Sequence, residues 1–227
     1  MEKIAIIGAG RMGGLLSRKL SPFYDIILVE KDLRHGGLLA KEIGGIATSE
    51  YSMLAEADYI ITALPAGVIP HVVDSILENI SEDQIIINIS TNTKMTEFKA
   101  LEGKCKLASA KIIGHALQIG ANELPLILIN SKDKNTKNKV ALVFGRVGTV
   151  CFGDEELVSR VNNIASEQGI RAALKIKEQL EELNVPEEYI SFAVRNVACG
   201  TMNAFVLGDA GHFAQKIIQK VDKEKKN

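Results

Sequence analysis

A glycine-spaced turn directly behind a short apolar run at the head of the chain narrows the possible folds more than any other feature. Ile4, Ala5, Ile6 and Ile7 lead into Gly8-Ala9-Gly10-Arg11-Met12-Gly13, and residues 11–20 carry apolar side chains at helical spacing. A buried strand, a tight turn and a helix are the expected result. The first glycine permits the turn, the second lets backbone lie close to a diphosphate, and the third lets the helix pack on the strand. Free N–H groups at the helix start attract phosphate. Gly8, Ala9, Gly10, Arg11, Met12 and Gly13 are therefore candidate binding residues for a dinucleotide. Glu30 ends the next strand about twenty residues on, where an acid holds ribose hydroxyls. Its charge favours NAD over NADP, because a carboxylate repels a 2′-phosphate. Lys31 and Arg34 follow closely, and they either bind that phosphate or form a solvated turn.

Strand-like and helix-like segments then alternate. Residues 26–29, 58–63 and 84–89 are rich in Ile, Leu and Val, the composition of strands buried on both faces. Ser21-Pro22 breaks the first helix, and residues 68–77 supply another between the third and fourth strong strands. Further strands are expected at 111–113, 126–129 and 148–152, with a Lys- and Asn-rich helix start near 131–138. The fold class is α/β: a doubly wound, mostly parallel sheet over residues 1–153, followed by a small all-helical domain over residues 154–227. Asp154 suits an N-cap, with Glu155 and Glu156 in the first turn of a long helix loosened at Gly169. Pro186 opens a second helix reaching Gly208, and Asp209 can cap a third. Ala193, Asn196, Gly200 and Asn203 share one face of that second helix, where small side chains allow close approach. Such a face calls for docking on the first domain or for a homodimer about a two-fold axis.

Composition chiefly excludes. Lysine and arginine total 27 against 28 acids, a net charge of -1, which offers nucleic acid no electrostatic footprint. Cys105, Cys151 and Cys199 lie far apart in a pattern that is neither a disulfide framework nor a metal site, which makes the cytoplasm the default compartment. No run of apolar residues approaches the roughly 20 that span a bilayer, so no membrane attachment is expected. The strand beginning at Ile4 leaves no room for a signal peptide.

Ligands of a doubly wound sheet lie beyond the carboxyl ends of its strands. Ala63, Leu64 and Pro65 follow the strand at 58–63 and should flank the nicotinamide. Ser90-Thr91-Asn92-Thr93 follows the next strand; its side chains either face the cofactor and substrate, Ser90 first, or serve a turn. His115 is the best proton donor by residue type, and Arg160 and Asn163 can orient a carboxylate or an imine. His35, His71 and His212 show no metal-ligand spacing, and no metal is expected.

Together GAGRMG, Glu30, ADYIITALP and GTVCFGDEE resemble pyrroline-5-carboxylate reductases and deazaflavin-dependent NADP reductases, over the first 154 residues in order. The wider group has a helical C-terminal part like that of 6-phosphogluconate dehydrogenase, commonly used for dimerisation and for closing the substrate site. The resemblance implies hydride transfer between NAD or NADP and a small C=N or C=O substrate. Two departures stand out. Ala165-Ser166-Glu167-Gln168-Gly169 lacks the Ser-Gly-Ser-Gly-Pro substrate loop, and Ser159, beside Arg160, stands where β-hydroxyacid dehydrogenases carry a catalytic lysine ahead of Asn162-Asn163. A dinucleotide-binding sensor or partner protein with little catalysis is the alternative reading, and another Rossmann-like enzyme a weaker one.

Overall fold

The computed structural model describes residues 1–224. Among them eight strands form one sheet: β1 (Lys3–Ile7), β2 (Asp25–Val29), β3 (Ile46–Thr48), β4 (Tyr59–Thr62), β5 (Ile85–Asn88), β6 (Lys106–Ile113), β7 (Leu126–Asn130) and β8 (Thr149–Phe152). Their order is β3-β2-β1-β4-β5-β6-β7-β8. Neighbours from β3 to β6 pair in parallel, β7 runs antiparallel to β6, and β8 pairs parallel with β7. Strand order reverses between β1 and β4, which opens a crevice at their carboxyl ends.

Helices on both faces follow from strands buried on both faces. Ile4 and Ile6 of β1 point into one apolar cluster, Ala5 and Ile7 into the other. The first cluster takes Leu16 and Leu20 from α1 (Arg11–Leu20), Leu39 from α2 (Leu33–Ile43), Ile119 from α4 (Ala116–Gly120) and Phe144 from α5 (Lys134–Phe144). The second takes Ile69 and Ile76 from α3 (Ile69–Leu77), together with Leu54, Phe98 and Leu101 from two 3₁₀ segments, Tyr51–Glu56 and Met95–Leu101. Each fully buried isoleucine or leucine stabilises the fold by roughly 2 kcal/mol.

The strands read from the sequence are present, and the structure adds elements that the sequence did not announce. Helix α2 begins at a polar stretch capped by Asp32, whose carboxylate accepts from the backbone N–H of Arg34 and His35. Strand β3 is three residues long and lies at the sheet edge, too short for periodicity to reveal. Strand β6 extends back to Lys106 and buries Lys111, a charge that disguises its central character.

The chain divides into two compact units, Met1–Asn163 and Ile164–Asn227. This division falls inside the long helix α6 (Glu155–Glu182), whereas the change of sequence character comes at residue 154. The opening turns of α6 belong to the first unit because Val158 is fully buried and the Asn162 side chain donates to the Ile112 carbonyl, 2.8 Å. Helix α6 runs through Gly169 without a break.

The second unit continues with α7 (Glu187–Phe192), a π-helical segment (Ala193–Ala198), α8 (Cys199–Leu207) and α9 (His212–Glu224). A single helix read from Pro186 to Gly208 is thus interrupted by a π turn, at the place where Ala193 and Asn196 lie. Among its described residues only Ile190 is fully buried, and Leu174, Phe192, Val197, Met202 and Phe205 are exposed. Glu187–Leu207 is 21 residues of helix long and apolar enough, by length and composition alone, to cross a membrane, and one such helix is weak evidence of a span. Glu187, Glu188, Arg195, Asn196 and Asn203 interrupt the apolar run and hid its length.

Candidate nucleotide-binding cleft

The glycine turn between β1 and α1 is shaped by contacts that side chains would destroy. Gly8 has φ +97°, in the left-handed region, and a Cβ there would stand 2.8 Å from the Ala63 carbonyl oxygen. A Cβ on Gly13 would stand 1.9 Å from the Gly8 carbonyl oxygen, so helix and strand meet only because that atom is missing. A Cβ on Gly10 would meet nothing within 4 Å. Space is therefore left open over the start of α1, where Gly10 sits as the N-cap without a side-chain hydrogen bond and no acid occupies the first turn. Helices α2 and α5, by contrast, have their first turns capped by Asp32 and Asp133. Bare, positively polarised N–H groups are an anion site.

Behind the turn stands a brace of polar groups. Glu30 Oε2 accepts from the Ala9 N–H at 2.7 Å, and Oε1 accepts from the Asp32 N–H at 3.1 Å. The His35 Nε2–H donates to the Ala9 carbonyl at 2.9 Å, the carbonyl being able only to accept. Ala9 is buried, and with Gly13 it supports the turn from within.

A cleft of about 690 Å³ runs along this turn. Gly8, Gly10, Arg11 and Met12 line its middle, Glu30, Lys31, Ser49 and Tyr51 line one end, and Ala63, Leu64, Pro65, Ser90, Thr91 and Gly114 line the other. Burial and the neighbouring Glu30 charge push the Tyr51 phenol above its ordinary pKa. Ser49, Tyr51 and His35 carried no signal in the sequence, because their placement depends on β3 and α2.

The turn at residues 90–93 is held from beneath. Asn88, fully buried, accepts from the Ser90 N–H through Oδ1 at 3.0 Å and donates through Nδ2 to the Thr93 carbonyl at 2.7 Å. Lys111, 1% exposed, donates from Nζ to the Ser90 carbonyl and to the Thr93 carbonyl, the latter at 2.8 Å. The Thr93 hydroxyl donates to Ser90 Oγ at 2.9 Å. Glu155, in the first turn of α6, brings Oε2 to 3.7 Å from Lys111 Nζ. Burial pushes the Lys111 ammonium down to about 8, the nearby carboxylates of Glu155 and Glu97 opposing that shift without cancelling it.

A smaller cavity of about 240 Å³ shares Thr91 with the cleft. Asn92, Lys94, Glu156, Ser159 and Arg160 line it. Lys94 pairs with Glu156 at 3.1 Å, and the Ser159 hydroxyl donates to Asn92 Oδ1 at 3.2 Å. Arg160 makes no ion pair or hydrogen bond with the described residues.

The sequence candidates thus separate. Nine line the main cleft: Gly8, Gly10, Arg11, Met12, Glu30, Ala63, Leu64, Pro65 and Ser90. Ala9 and Gly13 support it. Arg160 lines the adjoining cavity, whereas His115 is exposed at the start of α4 and lines neither, although its neighbour Gly114 does. Asn163 is exposed; Asn162 beside it is the residue that reaches the sheet.

Strand order and the crevice at the reversal between β1 and β4 define a doubly wound α/β fold. Residues 3–92 match the family model described as NADP oxidoreductase, coenzyme F420-dependent. The resemblance to this reductase group holds, on that segment for the family and along the chain for the fold. A pyrroline-5-carboxylate reductase from Coxiella burnetii superposes with a TM-score of 0.73 at 16% identity, covering 97% of this chain and 84% of that one. The Plasmodium falciparum pyrroline carboxylate reductase with NADP bound gives 0.70 at 13% identity, covering 97% and 84%. A reductive aminase from Aspergillus terreus in complex with NADPH and ethyl-5-oxohexanoate gives 0.68 at 16%, covering 91% and 75%. Comparison with curated protein sequences gives no match.

Proposed function

We propose that the chain is an NAD(P)-dependent oxidoreductase that moves a hydride to or from a small C=N or C=O substrate. The observation that carries this reading is the 690 Å³ cleft laid across an uncapped helix N-terminus. Its groups fit a dinucleotide: open space over Gly10 for the diphosphate, Glu30 and Tyr51 for a ribose and base at one end, and uncharged Ala63, Leu64, Pro65 and Ser90 at the other. When bound, the nicotinamide supplies or accepts the hydride. The chain's own residues then orient it: Gly8, Gly10, Arg11 and Met12 hold the diphosphate, and Ser90 and Thr91 offer hydroxyls to the nicotinamide end. Arg160, uncommitted in the adjoining cavity, is suited to a substrate carboxylate, and Asn163 and His115 remain the candidates for orienting substrate and donating a proton.

NAD and NADP are both compatible with this end of the cleft. Glu30 favours NAD; Lys31, which lines the same end, and the NADP-linked family favour NADP. A homodimer through the helices of the second unit accounts for their exposed apolar side chains, and free Cys105, Cys151 and Cys199 suit a reducing cytoplasm.

One observation favours a second reading, a dinucleotide-binding sensor or partner. The described lining at the nicotinamide end contains no acid, base or histidine. Titrating NADH and NADPH with protein while following nicotinamide fluorescence tests the binding that both readings share. Turnover against cyclic imines and 2-oxo acids separates them: oxidation of the bound cofactor is expected, and tight binding without turnover of any panel member leaves the sensor reading in place.

A further inference from the structure

The four-residue turn after β5 receives more buried polarity than a chain reversal requires. Its carbonyls at Ser90 and Thr93 both accept from one ammonium, Lys111 Nζ, which rises from the middle of β6 and has 1% of its surface exposed. Asn88 already satisfies the Ser90 N–H and shares the Thr93 carbonyl. Burying an ammonium costs several kcal/mol unless partners offset it, and an apolar side chain of similar length would fill the same volume without that cost. The ammonium does something an apolar side chain cannot: it fixes two carbonyls at once and so sets the direction in which Ser90 and Thr91 present themselves to the cleft. Its remaining partner is Glu155, which also accepts from the Met95 N–H at 3.2 Å. One ion pair thereby joins the turn, the 3₁₀ segment behind it and the first turn of α6.

We propose that Lys111 is a positioning residue for the nicotinamide half of the bound dinucleotide, holding the 90–93 turn so that Ser90 and Thr91 face the ring and ribose. This rests on the dinucleotide reading of the cleft. Lys111 itself does not touch the cofactor. Its effect passes through the turn and is confined to the nicotinamide end, since Gly10 and Glu30 are held by contacts that do not involve it.

Calorimetric titration with two pairs of probes tests this: NADH against ADP-ribose, and NADPH against 2′-phospho-ADP-ribose. The shorter member of each pair keeps the adenosine and diphosphate and lacks the nicotinamide. In Lys111→Met the affinity for the full dinucleotide is expected to fall about tenfold while that for the shorter probe changes less than about twofold. Glu155→Gln removes the charge of the ion pair while keeping an oxygen for the Met95 N–H, on a partly exposed helix turn, and should show the same selectivity with a loss of about threefold even where Lys111→Met folds poorly. Equal losses on long and short probes, or no loss on either, overturn the positioning role. Failure of the unaltered protein to bind any of the four probes overturns the dinucleotide reading and this inference with it.

Discussion

The turn after β1 is held open by side chains it lacks, while the turn after β5, on the same cleft, is held in place by buried side chains from neighbouring strands. In the first, Gly8 and Gly13 let backbone meet backbone, and the bare start of α1 is left free. In the second, Asn88 and Lys111 occupy the carbonyls and amides that a free turn would offer to water. The first turn suits a ligand bound by backbone dipoles. The second suits a ligand whose face must be met in one orientation by particular hydroxyls.

The sharpest way to break this comparison is within the glycine turn, where two glycines have opposite reasons to be there. Gly13→Ala places a Cβ 1.9 Å from the Gly8 carbonyl oxygen. Helix and strand must then separate, and a destabilisation of about 4 kcal/mol or outright failure to fold is expected in urea unfolding. At Gly10, by contrast, an added Cβ meets nothing within 4 Å, so Gly10→Val starts in open space. Its stability should change by no more than about 1 kcal/mol, the N-cap preference, while dinucleotide affinity falls by about a hundredfold, or ~2.7 kcal/mol. A stable Gly13→Ala protein, or a Gly10→Val protein with unchanged affinity, would show that the two glycines do not divide the work in this way.

What the sequence made legible follows the same contrast. Missing side chains leave a local mark, so 8–13 and its flanking strand and helix could be read directly, and continuous Ile and Leu runs announced β1, β2, β4 and β5. Positions set by distant pairing leave none. Lys111 reads as the polar first residue of the strand expected at 111–113, and only the parallel register of β5 with β6 brings it under residues 90–93. His35 reaches Ala9 only because Asp32 caps α2 and aims its first turn at the glycine turn. His115 stands out in the sequence by residue type alone, and its exposed place beside the cleft depends on how β6 leads into α4.

Lys111 also makes the second turn testable through pH. Its folded pKa of about 8 lies below the ordinary 10.5, chiefly because of burial. Between those values the unfolded chain holds a proton that the folded chain has released, so this group's contribution to stability rises with pH across that window, and the cost of burying the ammonium is fully present below it. Relative to Lys111→Met, which cannot titrate there, the unaltered protein should gain about 2 kcal/mol between pH 7 and pH 10. Cys105, whose thiol burial pushes up to about 11, is common to both proteins and cancels in the difference. A pH-independent difference between the two urea midpoints would mean that the ammonium is not desolvated, and that the turn is held by geometry which any side chain could supply.

The smallest effect expected is at Glu30, where the two ways of building a turn overlap. Its carboxylate accepts from the N–H groups of Ala9 and Asp32, and so acts as a side-chain brace on a turn otherwise made of glycine. Glu30→Gln keeps one acceptor oxygen and turns the other into a donor, so one N–H loses its partner at a cost of about 1 kcal/mol. The lost charge also ends repulsion toward a 2′-phosphate, and the ratio of NADPH to NADH affinity should rise about fivefold, or ~1 kcal/mol. Fluorescence titration of both cofactors against the variant distinguishes the two roles. A raised ratio places the carboxylate beside the ribose as well as behind the turn, whereas an unchanged ratio with a lowered urea midpoint leaves it a brace and moves cofactor choice to Lys31, Ser49 and Tyr51.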